Sequence, residues 1–266
     1  MYHFFGLKNI FVFIYVIYCF NVSATMNGTH STIMKRIVGG TAAKSGDFPY
    51  IMSIFLLNKY RGAFSMITTE TAIGAAHMIY GKAVEDLQGR ICDVNKFNGK
   101  LVHFVRKVVH PDFRRTTIND IGLLILNQSV CDLCDVIPVA LPVRHRSFVH
   151  GHAKMAGWGW IGPNRANKAI NLVVADMQLI DPKPYKYFFN VTLTGKEILT
   201  KTPGIRAMPG DSGAPLIYTD ECDNQLLIGV MSAGVYKMEE APDIFMATSA
   251  YYDFIKDNSV GELTFL

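Results

Sequence analysis

Gly210-Asp211-Ser212-Gly213-Ala214-Pro215, running directly into the apolar stretch Leu216-Ile217-Tyr218, is the segment on which the fold turns. Glycines on either side of a serine let the backbone bend sharply, leave the hydroxyl exposed and bring the main chain close to whatever lies against it. In isolation such a string is equally an ordinary glycine-rich loop. The rest of the chain supplies the context. From Pro49 onward, short apolar or alternating runs are separated by Gly, Pro, Asn and Asp, which predicts many β-strands joined by turns. The clearest are 51–57, 101–109, 121–126, 172–180, 226–231 and 244–247, with 216–218 following the serine. Strands this numerous and evenly spaced favour a sandwich or barrel over alternating helix and strand. One helix is expected, at the end, where Tyr251, Phe254 and Ile255 recur at helical spacing behind Ser249 as a cap.

Two further strings carry chemistry. Ala75-Ala76-His77 closes a strand that begins near Ala72, and Asn119-Asp120-Ile121-Gly122-Leu123-Leu124 opens another. A serine hydroxyl is a poor nucleophile until a neighbouring base takes its proton. The base works best when a buried carboxylate fixes its tautomer and stabilises its cation. His77, Asp120 and Ser212 are of the types those three roles need. Taken singly, His77 reads as a partly buried core histidine and Asp120 as a turn residue at a strand end.

The order His, Asp, Ser is that of the chymotrypsin type rather than of the α/β-hydrolases or subtilisins. The chain resembles the trypsin/chymotrypsin-like serine proteases over nearly everything from Ile37 to Ile255. A fourth string, Arg36-Ile37-Val38-Gly39-Gly40, is similar to the family's activation site. The resemblance implies that an activating protease cuts after Arg36 and that the freed Ile37 ammonium pairs with Asp211, ordering the oxyanion hole and substrate pocket. It implies an oxyanion hole from the N–H groups of Gly210 and Ser212. It also implies an all-β architecture of two packed six-stranded antiparallel β-barrels with a short C-terminal helix, His77 and Asp120 from the first barrel and Ser212 from the second. Ala156-Gly157-Trp158-Gly159 and His110-Pro111 fit the same register.

The departures concern bridges and specificity. The family's half-cystine after the catalytic histidine is Met78 here, and its partner position near Gly62 also lacks cysteine. Met208 and Ala153 stand at two other half-cystine positions. The residue six before the nucleophile, at the base of the primary pocket, is Arg206, and a usual glycine on the opposite wall is Asp243. The resemblance makes Arg206, Ser232, Gly234 and Asp243 the substrate-binding residues, with Arg206 and Asp243 facing each other. Apolar or small substrate side chains are then preferred over Lys or Arg. Ala233 and Ala214 also replace residues usual near the pocket and nucleophile.

Composition sets the outer limits. The 266 residues are 50% hydrophobic and 18% charged, with a formal net charge of +4 and no charge block, which disfavours a nucleic-acid partner. Lys8, the apolar run 10–20 and Val22-Ser23-Ala24 read as an export signal ending at residue 24. A membrane anchor is the alternative, but this run is too short to cross a bilayer core of about 30 Å. The expected organisation is therefore a signal at 1–24, an activation propeptide at 25–36 and a protease domain at 37–258, secreted, with sequons at Asn27, Asn127 and Asn190. Beyond the signal lie Cys92, Cys131, Cys134 and Cys222, whose pairing the spacing leaves open. No second ligand pair accompanies Cys131-x-x-Cys134 or His150-x-His152, so neither a metal nor a cofactor is expected. Two functions remain: an endopeptidase acting on protein or peptide substrates and restrained by a proteinaceous inhibitor, or a catalytically silent homologue acting as a binding or cofactor protein.

Overall fold

Strands form where apolar residues alternate or run together, and glycine, asparagine and proline end them. The computed structural model describes residues 40–114, 117–131, 133–161, 167–186, 193–234 and 241–266. The first half contains β1 (Thr41–Ala42), β2 (Ile51–Leu56), β3 (Lys59–Met66), β4 (Thr71–Gly74), one helical turn α1 (Ala76–Ile79), β5 (Leu87–Ile91), β6 (Lys100–Val109) and β7 (Gly122–Leu126). The second contains β8 (His152–Gly157), β9 (Val173–Ile180), β10 (Glu197–Thr200), β11 (Pro215–Thr219), β12 (Gln225–Ala233), β13 (Asp243–Ala247) and the helix α2 (Tyr252–Asn258).

Two antiparallel barrels result. The first closes in the order β2-β3-β4-β7-β6-β5, and β5 returns to β2. The second runs β9-β10-β13-β12-β11-β8 and closes through β8 onto β9, with the two-residue β1 added at β9. In β9 the alternation is clean, with Val173, Ala175, Met177 and Leu179 buried. β2 and β7 are buried along their whole length. Met52, Phe64, Ile73 and Leu124 fill the first barrel, while Met155, Met177, Leu216 and Phe245 fill the second. Each such side chain contributes about 1.5–3 kcal/mol relative to exposure.

Contacts across the seam hold the barrels in register. In β3 the Ala63 N–H donates to the carbonyl of Ser212 at 2.9 Å. Past α2 the chain turns back: residues 264–266 pair in parallel with 141–143 between the barrels, and the Thr68 and Thr71 hydroxyls donate to the Val260 carbonyl. Ser249 does not cap the helix as expected. Its hydroxyl donates to the Arg146 carbonyl at 2.7 Å, and a 3-10 turn over Thr248–Tyr251 leads into α2 instead.

One disulfide joins Cys92 to Cys134 with 6.2 Å between their Cα atoms, while Cys131 and Cys222 are exposed free thiols. Met78 occupies the place of the missing bridge. Its thioether packs so tightly against Gly62 that a Cβ there would meet its methyl group at 2.8 Å. Methionine suits such a gap because it is flexible and polarisable. The export signal, the propeptide and Asn190 lie outside the described residues, whereas Asn127 is exposed just after β7.

Candidate active site

His77 sits in α1, directly after β4, where the buried small residues Ala75 and Ala76 let the turn lie flat on the core. Its ring therefore points outward into the seam, with the side chain 37% exposed. Asp120 arrives from the other side at the start of β7. Asn119 before it takes the left-handed conformation at φ 52°, which asparagine tolerates better than most residues. The Asn119 side chain is itself fixed, accepting from the Tyr251 hydroxyl at 3.2 Å and from Lys196 at 3.4 Å.

The Asp120 carboxylate is 1% exposed and fully engaged. Oδ1 accepts the His77 backbone N–H at 2.7 Å, and Oδ2 accepts from both His77 Nδ1 and the Ser232 hydroxyl, each at 2.7 Å. Across the seam, His77 Nε2 lies 2.9 Å from Ser212 Oγ. Burial of the inner ring edge pulls the His77 pKa down, but the Asp120 hydrogen bond and charge outweigh it and hold the pKa above the ordinary histidine value. The carboxylate thus fixes the Nδ1–H tautomer and leaves Nε2 as the acceptor facing the hydroxyl.

The serine loop needs its glycines. Gly213 has φ 74°, and a Cβ there would collide with the Ala63 carbonyl; Gly210 has φ 102°. Among the described residues neither the Gly210 nor the Ser212 N–H has a protein acceptor, while the Asp211 N–H between them bonds to the Met208 carbonyl at 2.9 Å. Both amides are therefore left without a protein acceptor among the described residues.

Asp211 is wholly buried, accepting the Gly159 N–H on Oδ1 at 2.8 Å and the Met208 N–H on Oδ2 at 2.9 Å. Burial pushes its pKa up to about 6, against those two amides and the charge of Lys96. Arg36 and Ile37 lie outside the described residues. Asp243, in β13, is 5% exposed, lies against Gly234 and accepts the Ala207 N–H at 2.9 Å. Burial raises its pKa to about 7; the Ala207 hydrogen bond opposes this, Asp211 adds to it and the Arg206 charge opposes it. Arg206 is half-buried in the adjoining loop. Ser232 lies near the end of β12 with its hydroxyl turned to Asp120, and Gly234 follows the strand.

A profile of the family described as Trypsin matches residues 37–255. The chain belongs to the trypsin family. It is similar to chymotrypsin-2 of Vespa crabro, at 28% identity over 227 residues covering 84% of this chain and all of the relative. It is equally similar to trypsin-1 of Astacus astacus, at 28% over 242 residues with the same coverage. The trypsin-family resemblance and the two-barrel fold read from the sequence are thus borne out. Two residues near the serine loop carried no motif: Tyr60, whose hydroxyl donates to the Gly210 carbonyl at 2.9 Å, and the buried Lys96, which lies over the Tyr60 ring. Their spacing from the recognised strings is irregular, and only the folded chain brings them together. No helix among the described residues is long and apolar enough to cross a membrane.

Proposed function

We propose that this member of the trypsin family is an active, secreted serine endopeptidase, made as a zymogen and cut after Arg36. The observation that carries the reading is the hydrogen-bonded line from Asp120 through His77 to Ser212, with 2.7 and 2.9 Å links, beside two unengaged amide donors. In the first step Ser212 Oγ attacks the scissile carbonyl carbon while His77 Nε2 takes its proton. Asp120 steadies the resulting imidazolium, and the Gly210 and Ser212 N–H groups receive the negative charge on the carbonyl oxygen. Collapse expels the amine, protonated by His77, and leaves an acyl-Ser212 ester. A water molecule, deprotonated by the same nitrogen, then attacks the ester and regenerates the serine.

At the base of the pocket, Asp243 and Arg206 offset each other, and Asp243 is already committed to the Ala207 amide. A substrate Lys or Arg finds no free carboxylate there, so small or apolar side chains are preferred. Peptide-library profiling checks this: Arg206→Gly shifts preference toward Lys and Arg. Because Asp243 ionises near pH 7, that shift grows as the pH rises past about 7. A parent enzyme that already cuts sharply after Arg, unchanged by Arg206→Gly, overturns the pocket assignment.

The catalytic reading is tested with a fluorophosphonate probe on chain cut at Arg36. Labelling of Ser212, lost in Ser212→Ala, is the expected result. Absence of label on the cut chain sinks the enzyme reading in favour of a silent homologue.

A further inference from the structure

The loop after β5 leaves the first barrel and is sewn onto the second. Lys96 N–H donates to the Ile170 carbonyl at 3.1 Å, the Leu172 N–H to the Val94 carbonyl at 2.8 Å, and the Trp158 indole N–H to that same carbonyl at 2.8 Å. The Lys96 carbonyl is held by the Ser53 hydroxyl at 2.9 Å. The side chain that this stitching turns inward is a lysine, only 3% exposed. Lysine is almost never so enclosed, because stripping water from an ammonium is costly unless partners replace it.

Besides the Phe97 ring, 5.4 Å from it, two partners of this ammonium lead to the serine loop. Lys96 Nζ donates to the Ala169 carbonyl at 2.5 Å and lies 4.3 Å from the centroid of the Tyr60 ring. Tyr60 in turn fixes the Gly210 carbonyl through its hydroxyl and meets Trp158 edge-on at 6.4 Å. By the other route, the Ala169 N–H donates to the Gly159 carbonyl at 3.0 Å, and the Gly159 N–H donates to Asp211. We propose that Lys96 is a positioning residue for the oxyanion hole, its buried ammonium bracing Tyr60 against Gly210 and Ala169–Gly159 against Asp211. This assignment rests on the protease reading above for its catalytic consequence.

Electrostatics act in the same direction. The Lys96 charge favours the ionised form of Asp211 against burial, and Asp211 returns the favour to the lysine. Burial and the nearby charge of Lys168 nonetheless bring the Lys96 pKa down to about 8. The other titratable groups facing this cluster among the described residues are the Tyr60 phenol, held neutral by burial, and Asp243, which couples to Asp211; in the cut chain the Ile37 ammonium, paired with Asp211 on the reading above, joins them and ionises in the same range. The ammonium is therefore present below about pH 8 and lost above it, so the brace loosens on the alkaline side.

Three versions of the cut chain decide the matter: wild type, Lys96→Met and Lys96→Arg. Lys96→Met is expected to slow fluorophosphonate labelling and kcat roughly tenfold to a hundredfold with KM little changed, as misplacement of a donor does. Lys96→Arg stays charged and keeps the neutral-pH rate. The chain's two tryptophans, Trp158 and Trp160, both lie in this region, so their fluorescence reports the brace without catalysis. Read on the uncut chain, which has no Ile37 ammonium, it should titrate near pH 8 in wild type and lose that transition in both variants. Wild-type labelling by cut Lys96→Met, or the same fluorescence transition in uncut Lys96→Arg, overturns the proposal. If Lys96→Met does not fold, the Lys96→Arg comparison decides alone. Unlabelled wild type whose fluorescence titrates as described refutes the protease reading and leaves the brace standing.

Discussion

The two barrels bury their carboxylates in different company. In the first barrel Asp120 gives one oxygen to side chains, His77 and Ser232, and the other to the His77 backbone. In the second, Asp211 accepts two backbone N–H groups and Asp243 accepts one. Glu197 there accepts three, from Thr194, Gly195 and Lys196, together with the Thr194 hydroxyl. A carboxylate bonded to an imidazole can stabilise a proton that comes and goes. One bonded to amides holds a loop in shape. The first barrel therefore presents the groups suited to proton transfer, and the second spends its buried charge on fixing backbone at residues 194–196, at Ala207 and around Ser212.

The sharpest way to break this contrast is to remove the proton-transfer partners. Asp120→Asn, His77→Ala and Ser212→Ala should each lower kcat by roughly 10⁴ or more while leaving thermal melting nearly unchanged, because the three act as a unit. Unchanged hydrolysis in any of them places the chemistry elsewhere. Asp211→Asn comes next. It keeps one acceptor oxygen but loses the charge, and a displaced oxyanion donor costs roughly 10²–10³ in kcat. A wild-type labelling rate would show that the Gly210 loop holds its shape without that carboxylate. The smallest effect belongs to Glu197→Gln, whose carboxylate holds the 194–196 backbone and makes no bond to the serine loop or to Asp120. Weakening its hydrogen bonds should cost about 1–3 kcal/mol of stability, read as a melting shift of several degrees, with kcat/KM unaltered within about twofold. Loss of activity at constant stability would break the contrast.

A pH profile sharpens the same comparison. Attack needs His77 neutral, and its pKa stands above the ordinary histidine value, so kcat/KM should rise through a pKa higher than about 6.5. Asp120→Asn removes the cause of that elevation, so the residual activity should show its acid limb at lower pH. A limb that stays in place would mean that another group controls it.

Legibility followed the same division between side chains and backbone. The strands β2, β6, β7, β9, β12 and β13 were readable because apolar side chains mark them, and the observed ends fall within two residues of the expected ones. β3 and β5 were not separately readable, because each sets an interior glycine beside an arginine and so imitates a turn, whereas Gly229 in β12 is flanked by apolar residues. The folded chain explains both: a Cβ on Gly62 would run into the Ser212 carbonyl, and one on Gly89 into the Met52 thioether. Close approach excludes a side chain, and so removes the apolar mark that would have revealed the strand. His77, Asp120 and Ser212 were legible because each sits in a string of its own. Tyr60, Lys96 and the amides around Asp211 were not, since their role depends on contacts between distant segments.

The backward turn of the chain after α2 also bears on biosynthesis. Thr68 and Thr71, at the mouth of the first barrel, complete their hydrogen bonds only with Val260, and residues 141–143 only with 264–266. These partners leave the ribosome after both barrels have been made. The N-terminal barrel consequently cannot complete these bonds during its own synthesis, and the nascent chain would remain unlatched, and open to unfolding, until residues 260–266 have followed.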